Sequence, residues 1–257
     1  MRRSVLLLLV FYLFFIGCAA GKKARVLKYE EDQPTYDRLK KMGNKLLPVM
    51  DPERVKYYKI GIIEEDVINA FTTMPQRDKD GYPIFSIFFY RGLLNKLDDQ
   101  EMLFIFAHEI SHCRLNHVEN RNAASQGISA VLLVGGFIVP GLGYLNYLVN
   151  PLITSAYSRS QEADADLLAA ESIKKCCDIS PDVVVKVLSL LDDVAKEKGY
   201  DEKNRIGIFD DHPGFQKRIN NIEEYRNGKL KPLVPPLRQP PIPPTDFKRD
   251  KRYEKEY

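Results

Sequence analysis

The chain has 257 residues, 44% apolar and 28% charged, which is enough for one domain with a substantial core. Its formal charge of +3 includes Arg2 and Arg3 at the extreme N-terminus, so the remainder is close to neutral. A protein that tracks nucleic acid presents a basic face, and that class of partner is set aside.

The first residues, MRRSVLLLLVFYLFFIGCAAG, pass from two arginines through an apolar run (Val5 to Ile16) to small residues. This is the order of a secretory signal, and the apolar run is short for a membrane span. Its end, Phe15-Ile16-Gly17-Cys18, resembles a bacterial lipobox, with Phe15 standing where Leu is usual. On that reading residues 1–17 are removed and Cys18 is acylated, which holds the protein at a membrane face. Cleavage by an ordinary signal peptidase after Ala20 is the alternative. With Cys18 lipidated, Cys113, Cys176 and Cys177 remain. That odd number leaves one thiol free, or paired between chains, in an oxidising compartment. Adjacent Cys176 and Cys177 match no CxxC metal knuckle and read as packing residues, or with one of them bonded elsewhere.

Residues 18–33 are polar and mixed in charge, as a tether would be. A domain is expected over 34–228. It opens with helical spacing from Pro34 to Met50 (Tyr36, Leu39, Met42, Leu46). Strand-like runs follow at Tyr57 to Ile63, Val67 to Pro75 and Ile84 to Tyr90, the last two joined by a turn signal containing Asp80-Gly81. Asp98 fits an N-cap with Glu101 completing a capping box, and the helix behind it is apolar nearly all round. A helix of that kind is buried and must account for each polar group it carries.

Residues 122–158 contain no charged side chain. Glycines and Pro140 interrupt this stretch too often for a single spanning helix. Two core helices joined by a Pro-Gly turn, or an apolar cover over a site or facing a bilayer, both fit it. Helical periodicity returns between Pro181 and Tyr225. Residues 229–257 are rich in proline and then in charge, as an extended tail is.

Three of the chain's four histidines fall in the segment FIFAHEISHCRLNH, residues 104–117. Residues four apart share a helix face, so His108 and His112 can hold one metal ion. Glu109, one step round, is placed to accept a proton from water at that metal. HExxH on a helix is the arrangement for zinc-dependent peptide hydrolysis. His117 lies about 140° round from His112 on a continuing helix, so it cannot join the metal unless the helix stops, and it reads as a structural or surface residue. The third ligand must come from further along. In SRSQEADAD, residues 158–166, Glu162 and Asp166 share a helix face. Glu162 can complete a His2Glu site, and Asp166 can accept the free ring N–H of a ligand histidine.

With these segments in view, the chain resembles the HtpX-type and BepA-type zinc metallopeptidases, relatives of the CAAX prenyl protease and of mitochondrial Oma-type proteases. Four ordered motifs carry the resemblance: Asn69-Ala70-Phe71, RGLLNKLDDQEMLFIFAHEISH, SRSQEADAD, and Asp211-His212-Pro213-Gly214 with Arg218-Ile219. It implies an α+β, mainly helical, zincin-like domain with a small sheet beside the HExxH helix. It also implies one Zn2+ per chain held by His108, His112 and Glu162, with Glu109 as general base. In relatives the histidine matching His212 lies near the metal and either steadies the transition state or blocks the open position. Here Asp211 precedes it, where relatives often carry Thr.

The expected activity is endoproteolysis of unfolded or misassembled envelope proteins in quality control, at the periplasmic side of a membrane. The strand at Ile84 to Phe88 is expected to take substrate as an added β-strand. An envelope chaperone or assembly factor with a latent protease site is the alternative.

Overall fold

The computed structural model describes residues 25–78, 83–118, 157–197 and 214–233. The signal and Cys18, most of the uncharged 122–158 stretch, His212 and nearly all of the tail lie outside the described residues.

Chain order starts with a 3-10 turn at Tyr29–Glu31, helix α1 (Gln33–Met50) and a 3-10 segment at Pro52–Tyr57. Strands β1 (Tyr58–Ile63), β2 (Ala70–Arg77) and β3 (Pro83–Tyr90) follow. Then come the helices: α2 (Arg91–Lys96), α3 (Asp99–Arg114), α4 (Arg159–Cys177), α5 (Asp182–Glu197) and α6 (Phe215–Arg226). The fold is α+β and mainly helical, with one small sheet beside the HExxH helix, as expected. Within the stretch read as a tether, the last residues are held down. Val26 bridges Ile63, Leu27 N–H donates to Ile62 O at 2.9 Å, and Tyr36 Oη donates to Leu27 O at 2.6 Å.

The sheet order is β1-β3-β2, with β1 parallel and β2 antiparallel to β3. This corrects one expectation. The strand at Ile84 to Phe88 is central and paired on both sides, so it has no edge to offer a substrate. The end position next to α3 belongs to β2. The burial pattern explains the placement, since β3 carries Phe85, Ile87, Phe88 and Phe89 into the core and strands buried on both faces are central ones.

Gly92 has a packing reason. A Cβ there would sit 2.7 Å from backbone atoms of Val67, where Gly92 N–H donates to Glu65 O and Leu93 N–H to Val67 O. The chain after β1 is thereby pinned to the start of α2. Helix α3 is buried from Glu101 to Arg114, packing against α4, α1 and β2. Phe104 and Phe106 are among the largest fully buried side chains, and Phe106 meets Phe89 edge-on with centroids 5.1 Å apart. The adjacent Cys176 and Cys177, read above as packing residues, instead pair with each other, and Cys113 is a buried cysteine outside that pair.

Candidate metal centre

Both helices that build the site are started by capping boxes. Asp98 Oδ1 accepts the N–H groups of Gln100 and Glu101, and Glu101 Oε2 accepts the N–H of Asp98. At the head of α4, Ser158 Oγ accepts the Gln161 N–H while Gln161 Oε1 accepts the Ser158 N–H. The serine of SRSQ thus sets where α4 begins, which puts Glu162 in its first turn and Asp166 one turn on.

α3 and α4 pack face to face, and their polar groups meet in the seam. His108 Nε2 and His112 Nε2 are 3.0 Å apart. Glu162 Oε2 is 3.5 Å from the first, and Glu162 Oε1 is 3.3 Å from the second. All three residues are buried. Donor atoms around one tetrahedral ion with bonds of about 2.0–2.1 Å sit roughly 3.3 Å from one another, so these spacings fit a single metal. Charge points the same way. The seam buries the carboxyl groups of Glu109, Glu162 and Asp166, and the Arg218 guanidinium pairs with the last two. A divalent cation adds positive charge where these carboxyl groups meet.

The flanking contacts orient the donors. His108 Nδ1 lies 2.9 Å from Asp166 Oδ1, the pairing read from the ExxxD spacing. Arg218 reaches in from α6 with two N–H groups on Asp166 (Nε to Oδ2 at 2.6 Å, Nη2 to Oδ1 at 2.7 Å). Its Nη1 donates to Glu162 Oε2 at 2.8 Å. Burial alone would push the Asp166 carboxyl up, but the Arg218 charge outweighs it and holds the group below its usual range. In return, Asp166 and Glu162 keep Arg218 charged although burial works against it.

Glu109 is buried, and Thr72 of β2 donates its Oγ1–H to Glu109 Oε2 at 2.8 Å. The helix does stop before His117. Leu115 is its C-cap and Asn116 takes a left-handed φ of 60°. His117 is buried, with Nδ1 3.0 Å from His112 Nδ1, and burial pulls its pKa from 6.5 down to about 4.

The structure therefore brings His108, His112, Glu162, Glu109 and Asp166 together, while His212 lies outside the described residues. Thr72 is an addition to the sequence reading, and Arg218 and His117, both noted there without these contacts, gain their partners from the structure. Each left a trace in the sequence. Ala70 and Thr72 alternate toward one face of a strand. Arg218 interrupts an otherwise apolar helix face of Phe215, Ile219 and Ile222, which marks a buried ion pair. Asn116 is a helix-stop residue.

Comparison with known proteins agrees. The model of peptidase family M48 matches residues 35–226. Metalloprotease LoiP of Escherichia coli (strain K12) is 29% identical over 140 residues, covering 52% of this chain and 53% of that protein. A Protease HtpX homolog of Bacteroides fragilis (strain YCH46) is 25% identical over 251 residues, covering 80% and 73%. One from Listeria monocytogenes serotype 4a (strain HCC23) is 25% identical over 213 residues, covering 64% and 67%. The chain spans about half the length of LoiP. The family anticipated from four short motifs is thereby borne out. Since the matched region runs from α1 through α6 and contains the His108, His112 and Glu162 cluster, the chain belongs to peptidase family M48.

Proposed function

We propose that this protein is a zinc-dependent endopeptidase of the cell envelope, with His108, His112 and Glu162 as metal ligands and Glu109 as general base. The observation that carries the reading is the convergence of three buried donor atoms at metal-site spacing, with a carboxylate on the next helical position. When bound, zinc supplies a Lewis acid that lowers the pKa of water toward about 7. Glu109 takes the proton of the attacking water and returns it to the leaving amine. Thr72 holds one oxygen of that carboxylate, which fixes its plane during both transfers. Asp166 keeps the His108 ring in its Nδ1–H tautomer, and Arg218 keeps Asp166 ionised.

Substrate is bound as a strand added alongside β2, the sheet's end strand nearest Glu109. Such pairing reads backbone more than side chains, which suits unfolded or misassembled envelope proteins as substrates. No helix among the described residues is long and apolar enough to cross a membrane. Attachment is assigned to a lipid on Cys18. Mass spectrometry of the mature N-terminus reads this directly, and a chain starting at Gly21 without lipid overturns it.

The activity is tested by Glu109→Gln, which keeps zinc and loses cleavage of a casein-like substrate. Wild-type cleavage by that variant removes the mechanism. His212→Ala distinguishes a resting block, where the rate rises, from a transition-state donor, where it falls.

A further inference from the structure

A ligand histidine has two ring nitrogens, and the partner of the second decides which tautomer and orientation the first presents. For His108 that partner is the Asp166 carboxylate. The Nδ1 of His112 lies 3.0 Å from Nδ1 of His117, with the Nε2 of the same ring toward His108 and Glu162. The backbone is shaped for the meeting. A continuing helix would carry His117 about 140° away. The left-handed Asn116, φ 60°, ends α3, and His117 meets the His112 ring edge-on with centroids 5.2 Å apart. Tyr157 covers a face of the ring, stacked on His112 with centroids 3.6 Å apart and planes 14° from parallel. His112 and His117 are both buried, so solvent does not substitute for the contact.

We propose that His117 is the positioning residue of His112, its Nδ1 accepting the His112 Nδ1–H so that the His112 Nε2 lone pair faces the metal. This rests on His112 being a ligand. The chemistry assigns the proton. A ligand Nε2 must carry a lone pair, so the proton of neutral His112 sits on Nδ1 and makes that atom the donor. His117 is then the acceptor and bears its own proton on Nε2. A neutral imidazole suits this place better than a second carboxylate, because it orients the ring without adding charge to a seam already holding three carboxyl groups.

The test measures zinc affinity of the full chain, stripped and reloaded, by competition with a chromophoric chelator. His117→Phe keeps a ring of similar size without an acceptor. His117→Asn puts an oxygen close to the position of Nδ1. His117→Phe is expected to bind one zinc about 10–100-fold more weakly, with the melting temperature of the metal-free protein unchanged. His117→Asn is expected to recover most of the affinity. Nitrogen NMR of the zinc-loaded wild type is expected to show His112 protonated at Nδ1, a readout that needs no variant to fold. Wild-type affinity in His117→Phe, an Asn variant as weak as the Phe variant, or His112 protonated at Nε2 overturns the proposal. Glu162→Ala is the control. If it loses zinc while His117→Phe does not, only the positioning role fails. If Glu162→Ala binds zinc like wild type, the ligand assignment itself fails.

Discussion

Arg218 is buried with two of its N–H groups on Asp166 and a third on Glu162. Removing the cation strands two carboxylates in a dry seam. Arg218→Met is therefore expected to cost about 3–5 kcal/mol of stability in urea unfolding of the metal-free protein. Arg218→Lys is not expected to restore it, since a point charge cannot reproduce the forked pair on Asp166. A Lys variant as stable as wild type would show that charge alone matters here. Thr72 acts on chemistry instead. Thr72→Val keeps the shape of the side chain and removes the donor to Glu109 Oε2. The expected result is a kcat lower by about tenfold, the worth of one hydrogen bond to a charged group, with zinc affinity unchanged. Equal kcat in the variant would mean that Glu109 is held by its helix alone.

At the scale of elements, the end of α3 decides where His117 goes. Left-handed backbone costs about 1–2 kcal/mol for most L-residues and little for Asn or Gly. Asn116→Gly is expected to keep both stability and zinc affinity, and Asn116→Val to lower both; circular dichroism melts and zinc titration read the two effects. If Val is tolerated, the turn is not needed to seat His117. The elements differ in how legible they were. The opening helix, the antiparallel pair β2 and β3, and the buried HExxH helix follow from local signals: apolar spacing, a turn dipeptide and the Asp98–Glu101 box. The strand order does not follow. Ile84 to Phe88 looked able to accept a substrate strand, and its apolar content instead marks a strand covered on both sides. The cysteines behaved similarly, because an odd count shows that one is left over without showing which, and the pairing of Cys176 with Cys177 leaves Cys113.

For the whole molecule, the metal is expected to tie the helical parts together. Glu162 on α4 faces two donors on α3, and Arg218 on α6 braces Glu162. An ion held there binds the folded chain and not the unfolded one. Chelation is therefore expected to lower the melting temperature, and free zinc at about 100 times Kd to add about 2.7 kcal/mol. A melting curve indifferent to zinc would separate the cluster from metal binding altogether.

The amino-acid sequence by itself determined the two histidines of one helix face, the carboxylate next to the first, the distant carboxylate pair and the family. It can do so because an i,i+4 relation is local and survives any arrangement of the other elements. Tertiary structure alone decided that β2, not β3, lies at the sheet's end and puts Thr72 on Glu109. It also decided that Arg218 crosses 52 positions of sequence to reach Asp166, and that His117 meets the His112 ring edge-on. Those outcomes depend on which buried surfaces meet and on where one helix stops. That is a property of long-range packing, which no local periodicity encodes.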